Sequence, residues 1–162
     1  MSYQFELQTP LASVRTAMTT SKRMAQGALQ PKLTAIERER LPVELIEILN
    51  ERVFRKSWDG QRLLPGSARG LPDDIQILWN ARLAKTAGQA KWKRIRQGDV
   101  VSHETAIELS SKVLDTKQKL LNTLAHELCH LAVWTISDMP KESHGPHFKA
   151  WQAHFLLWGS AA

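Results

Sequence analysis

Cysteine is almost missing from these 162 residues: Cys129 stands alone. No internal disulfide can form, and a zinc ribbon held by several thiolates is excluded. No apolar run approaches the roughly 20 residues a membrane-spanning helix needs, so no membrane association is expected. The start, Met1-Ser2-Tyr3-Gln4-Phe5-Glu6, lacks the basic and apolar regions of a secretory signal. These lacks together fit a reducing compartment: the nucleus in a eukaryote, otherwise the cytoplasm, and not secretion. Acid is scarce too, with 16 Asp/Glu against 22 Lys/Arg and a net charge of +6. Between Arg82 and Arg96 there are six cations (Arg82, Lys85, Lys91, Lys93, Arg94, Arg96) and no acid. Such a surplus favours a polyanionic partner, although a solvated basic face with no partner reads equally well from charge alone. What remains, 43% apolar and 23% charged residues, is the balance of one globular domain with a real core.

The pattern along the chain predicts an α+β fold, with helices packed on a small β-sheet. Residues 1–40 read as an N-terminal extension, partly mobile or helical, with loop signals at Thr19–Arg23 and Gln26-Gly27. Thr34 and Glu37 have capping-box spacing, and a second helix start is expected at Leu41-Pro42. Leu45, Ile46, Leu49, Val53 and Phe54 then make a helical stripe ending before Trp58. Residues 59–72 form a Gly/Pro-rich connector. Strands are expected at Ile75–Trp79, Ala90–Ile95 and Thr105–Ser110, with a bend at Thr86-Ala87-Gly88. A capping box at Asp115–Gln118 opens the strongest helix, about 116–134, and Ser143-His144-Gly145-Pro146 opens the last one. The main domain is placed at 41–158, followed by a tail, 159–162.

The strongest helix carries His126-Glu127-Leu128-Cys129-His130. Four residues rotate a helix by about 400°, so the two histidines stand one turn apart on one face and can share a metal ion. Glu127 lies about 100° round from His126, within reach of a water beside that ion. Leu121, Leu124, Leu128 and Leu131 form a separate apolar stripe for the core. Catalytic zinc usually takes three protein ligands. A metzincin would have Gly at 133 and His at 136; Val133 and Ile136 exclude that class. The candidates downstream are Glu142, His144, His147 and His154. His144, after a loop long enough to fold back, is favoured over Glu142, and His147 reads as a surface or supporting group. His154 reads as a helix-face residue, His103 as a loop residue, Cys129 as a buried thiol, and Trp79 and Trp134 as core.

Leu124–His130 followed by His144-Gly145-Pro146-His147-Phe148 resembles the SprT-like metalloproteases. So do Leu49-Asn50 with Val53-Phe54, Trp79-Asn80 with Leu83, Thr86-Ala87-Gly88, and Ile107-Glu108-Leu109-Ser110, in family order over about 41–158. The tract Ile107–Leu114 with His-Glu-Leu-Cys-His is most similar to the germ cell nuclear acidic protein branch, and the Spartan proteases are relatives. The resemblance implies a zincin-like fold with the motif on a central helix. It implies a zinc- and DNA-dependent protease that degrades proteins covalently crosslinked to DNA. It assigns the third ligand of the one catalytic zinc, beside His126 and His130, to His144; Glu127 is then expected to act as the general base. Many members carry further zinc- or DNA-binding segments after the protease domain; none follows before Ala162, so an isolated catalytic domain is expected. For DNA, single-stranded or distorted, the expected contacts are Lys91, Trp92, Lys93, Arg94 and Arg96, where an aromatic is interleaved with cations. Two other readings are an inactive zinc-stabilised DNA-binding module and a zinc peptidase unrelated to DNA. An extended substrate is expected to pair with the strand around Ile107.

Overall fold

A computed structural model describes residues 30–55 and 70–158. The expectations for 1–29, for most of the 59–72 connector, for the helix end near Trp58 and for the tail lie outside them. The described residues from Lys32 onward belong to one compact unit.

Helix α1 runs Ala35–Leu49. Its start is the expected capping box: Thr34 Oγ1 accepts from the Glu37 N–H at 3.2 Å, and the Glu37 carboxylate accepts from the Thr34 N–H at 2.8 Å. The second start expected at Leu41-Pro42 does not exist; Pro42 lies inside the one continuous helix. Proline has no N–H to give the carbonyl four residues back, which is that of Arg38. The Trp79 indole supplies the missing donor, Nε1 to the Arg38 carbonyl at 2.9 Å, with the Arg38 guanidinium over the same ring. The interior proline is thereby tolerated, and it ties α1 to the sheet. A π-helical turn, Asn50–Phe54, continues the helix and turns Val53 and Phe54 fully into the core. Asn50 exchanges two hydrogen bonds with the Leu71 backbone, fixing the chain where it re-enters after the connector.

Three strands form a sheet of order β1-β3-β2. Strand β1 (Gln76–Asn80) runs parallel to β3 (Val100–Ser110), and β2 (Gly88–Gln97) runs antiparallel to β3 through a two-residue turn at Gly98-Asp99. All three expected strands are present, and the hairpin is longer than its apolar pattern. β1 pairs only with Ala106–Ser110, so the rest of the hairpin continues as a two-stranded ribbon. Ladder bonds hold that ribbon with few buried side chains, which is why hydrophobic alternation misses it.

Helix α2 (Lys117–Thr135) carries the motif, and helix α3 (Pro146–Trp158) begins with proline at its first position. The cap of α2 is Thr116, whose Oγ1 accepts from the Lys119 N–H; the expected Asp115–Gln118 box is not made. Thr116 is the extended residue, so Asp115 lies one place too early and pairs with Lys119, while Gln118 bonds Asn122. Leu124, Leu128 and Leu131 are fully buried as expected, but Leu120 takes the place of the half-buried Leu121. The separate core and site faces do not persist: Glu127 through Val133 are all buried, because β2, β3, α1 and α3 all pack on this helix. The α+β class and the central position of the motif helix are as expected. No helix among the described residues is long and apolar enough to cross a membrane.

The Pro42–Trp79 relation is testable by a double-mutant cycle in urea. Trp79→Phe leaves the Arg38 carbonyl without its donor; Pro42→Ala returns a backbone N–H. A favourable coupling of about 1 kcal/mol between the two positions is expected, and additive effects contradict it.

Candidate metal centre

Helix α2 presents His126 and His130 one turn apart, with ring centroids 5.0 Å apart. The loop between α2 and α3 brings His144 over them, its Nε2 3.3 Å from His126 Nε2. One ring nitrogen from each of the three lies within 4.8 Å of the others. Two imidazole nitrogens on one tetrahedral zinc, each about 2.0–2.1 Å from it, would be separated by about 3.3–3.4 Å. The His126–His144 pair has that spacing, and the three nitrogens together could hold one metal ion. Burial first, then the neighbouring His126 and His144, depresses the His130 pKa to about 4. Burial and then His144 lower that of His126. Both imidazoles are thus neutral near pH 7, the form that binds metal. His130 is buried, and its Nδ1 has no hydrogen-bond partner among the described residues.

Phe148 floors the cluster, its ring 5.0, 4.5 and 4.7 Å from His126, His130 and His144. Trp134 stacks on His130 with centroids 5.5 Å apart. Trp134 thus belongs to the site as well as to the core expected from sequence; its spacing from His126 and His130 by successive fours was the available signal. Phe148 and the backbone contribution below gave no signal by residue type.

Glu127 is also buried, outside the histidine cluster. Its Oε2 accepts the Ala90 N–H at 2.8 Å. Burial raises its pKa, partly opposed by that hydrogen bond. The contact requires β2 to lie close against α2, and Gly88 permits it. A Cβ there would lie 2.6 Å from Thr123 Cγ2 and 3.2 Å from Glu127 Cγ. Two open cavities flank the contact along β2. One, of about 420 Å³, is lined by Thr86–Gly88, Thr123, His126 and Glu127; the other, of about 340 Å³, by Ala90–Trp92, Trp134 and Pro140.

The remaining candidates fall elsewhere. Glu142 turns its carboxylate to the start of α3, where it accepts from the backbone N–H groups of His147 and Phe148 and pairs with His147 Nδ1. His154 is buried and hydrogen-bonds through Nε2 to the Val53 carbonyl. His103 is not in a loop; it lies in β3 and accepts at Nδ1 from Trp92 Nε1. Cys129 is a buried thiol, its pKa pushed up to about 12 by burial and then by Glu127, which suits neither a ligand nor a nucleophile. The strand period divides the basic segment. Lys91 and Lys93 lie on the outer sheet face, opposite Glu108 and Glu104. Trp92 and Arg94 lie on the α2 side, with Arg94 paired to Asp138 and its guanidinium over the Trp92 ring. Ile107 sits in the central strand, both of whose edges are taken, so it cannot receive a substrate strand; among the described residues β1 and β2 are the edge strands, and the edge of β2 is the one beside Glu127.

A small α+β domain with His-Glu-x-x-His on its central helix and a third histidine folded over it has the architecture of a zincin-like metalloprotease. The SprT-like family matches residues 43–156, and the chain belongs to that family. The chain is similar to an HMG box-containing protein of Schizosaccharomyces pombe, 46% identical over 80 residues, 48% of this chain and 22% of that one. It is similar to germ cell nuclear acidic-1 protein of Caenorhabditis elegans, 33% identical over 117 residues, 72% of this chain and 18% of that one. Human germ cell nuclear acidic protein is 32% identical over 90 residues, 51% of this chain and 11% of that one. The chain thus matches about a fifth or less of the length of these relatives. No solved structure matches.

The depressed histidines carry a pH dependence. A histidine whose folded pKa lies below its unfolded value contributes full stability above about 6.5 and loses it as pH falls toward the folded value. Glu127, shifted upward, titrates in the opposite sense, and Glu127→Gln removes that contribution; Glu37, Glu108, Asp115 and Glu142, all lowered, act in the same sense as the histidines but in the carboxylate range. In chelator, the unfolding midpoint of the Glu127→Gln chain in urea should already fall as pH drops from about 6.5 to about 5.5, above the carboxylate range. A flat profile contradicts the buried, neutral histidines.

Proposed function

We propose that this chain is a zinc-dependent, DNA-dependent endopeptidase acting on proteins covalently crosslinked to DNA. The observation that carries the reading is the convergence of His126, His130 and His144 beside a buried carboxylate, Glu127, at the open edge of β2. In this reading the three histidines hold one zinc, which supplies Lewis acidity to a scissile carbonyl and to the attacking water. Glu127, its basicity raised by burial, takes the proton of that water and returns it to the leaving amine. A structural metal site has no use for a buried general base, which speaks against an inactive zinc-stabilised module.

An extended substrate pairs with the free edge of β2, between the two flanking cavities. The two-residue turn makes Gln97 and Val100 the closing pair of the hairpin, so the even residues of β2 aim their N–H and C=O groups outward. Ala90 fits that parity, since its N–H goes to Glu127. Trp92, Arg94 and Arg96 share it, leaving an aromatic and two cations beside the substrate path. Single-stranded or distorted DNA, stacking on an aromatic and neutralised by cations, suits that edge. The named relatives support a nuclear, DNA-associated setting: one is called HMG box-containing and two are called germ cell nuclear acidic proteins.

A second reading, a zinc peptidase unrelated to DNA, is favoured by one observation. Lys91, Lys93 and Arg94 each face an acid, so much of the basic segment is neutralised within the fold.

Cleavage of a protein crosslinked to single-stranded DNA, with and without added strand and with a chelator control, separates the readings. Strand-stimulated, chelator-sensitive cleavage is expected; equal rates without DNA favour the second reading. Glu127→Gln should retain zinc and lose at least about 100-fold in cleavage rate; retained proteolysis removes Glu127 from the base role. Reversing Lys93 and Arg94 together should weaken DNA binding and flatten its salt dependence, and the single reversals report which sheet face is engaged. Unchanged binding in the double variant removes this segment from the DNA contacts.

A further inference from the structure

Of the three clustered histidines, His144 has the least to hold it. His130 is buried and His126 half-buried on a helix, whereas His144 is exposed in a loop. The polar partner of its ring outside the cluster is Ser143 Oγ, 3.2 Å from Nδ1. A ligand held this loosely would lose freedom on binding metal, at a cost in affinity, unless the loop were fixed beforehand.

Glu142 fixes it from both ends. Its carboxylate caps α3, accepting from the N–H groups of His147 at 2.7 Å and Phe148 at 3.0 Å, and its second oxygen lies 2.8 Å from His147 Nδ1. Its carbonyl accepts from Trp134 Nε1 at 3.0 Å, and that indole stacks on His130. Its own N–H goes back to the Met139 carbonyl. The turn between Glu142 and α3 closes so tightly that a Cβ on Gly145 would lie 2.7 Å from the Glu142 carboxyl carbon. The side chain is largely buried, and three hydrogen bonds hold it, so it has little room to yield.

We propose that Glu142 is a positioning residue: through the α3 cap and the Trp134 indole it sets His144 against His126 and His130 before any metal arrives, and Gly145 is required because the cap occupies the space of a side chain. The inference rests on the metal reading above and concerns affinity for the ion, not the chemistry of cleavage.

The test is a Zn²⁺ titration against a competing chelator, with Co²⁺ absorption as a second readout, on the wild type and on His144→Ala, Glu142→Ala, Glu142→Gln and Gly145→Ala. Glu142→Ala and Gly145→Ala should each weaken Zn²⁺ about 10- to 100-fold. Glu142→Gln retains an acceptor for the two backbone N–H groups and should stay within about threefold of wild type, a rescue that loss of packing alone would not show. In the Glu142→Ala background the added Gly145→Ala should cost little, since the group it collides with is gone. Wild-type affinity in Glu142→Ala overturns the proposal; should that variant fail to fold, wild-type affinity in Gly145→Ala overturns it. If His144→Ala itself leaves Zn²⁺ affinity unchanged, the metal reading fails; if His144→Ala weakens binding and Glu142→Ala does not, only the positioning role fails.

Discussion

The hydrogen bond from the Ala90 N–H to Glu127 joins the two halves of the site. It holds the edge of β2 against the motif helix, and among the described residues it gives the buried carboxylate its donor. Gly88 makes the approach possible, because a side chain there would meet Thr123 and Glu127. With α1, α3 and β3 packed on the same helix, Glu127 to Val133 are all buried, and burial is the first cause of the lowered His126 and His130 pKa values. That one contact sets the Glu127 carboxylate beside the edge of β2.

That constraint explains what could be read from the chain and what could not. The motif, its helix, the Thr34–Glu37 cap and the three strands follow from spacing and alternation, which are local. The residues alone favoured His144 among four candidates, the SprT-like resemblance assigned it, and it is the one that falls beside the motif pair. Boundaries failed where tertiary contacts overrode local signals. Pro42 reads as a helix start only if its lost hydrogen bond has no remedy, and the remedy is Trp79, 37 residues away. The α2 cap was misplaced by one residue because Asp115 and Thr116 are both capping types, and the backbone of Thr116 is the extended one.

The remaining site features were less legible for physical reasons. Trp134 is an ordinary core residue by type; its role comes from stacking on His130 and from the Glu142 carbonyl. The Ala90 N–H belongs to the backbone and has no side-chain signature. The basic segment looked like one patch in sequence, but the period of two in a strand sends Lys91 and Lys93 to one face and Trp92 and Arg94 to the other. Ile107 sits in a strong strand whose very centrality denies it a free edge.

The central claim is a single zinc on three imidazoles, with Glu127 beside it but not bound to it. X-ray absorption at the zinc edge, on the purified chain loaded with one equivalent, tests this most directly. Three imidazole nitrogens and at least one light oxygen ligand are expected, with a spectrum unchanged in Glu127→Gln apart from that oxygen. A sulfur ligand from Cys129, or a shell with only two imidazoles, would contradict it.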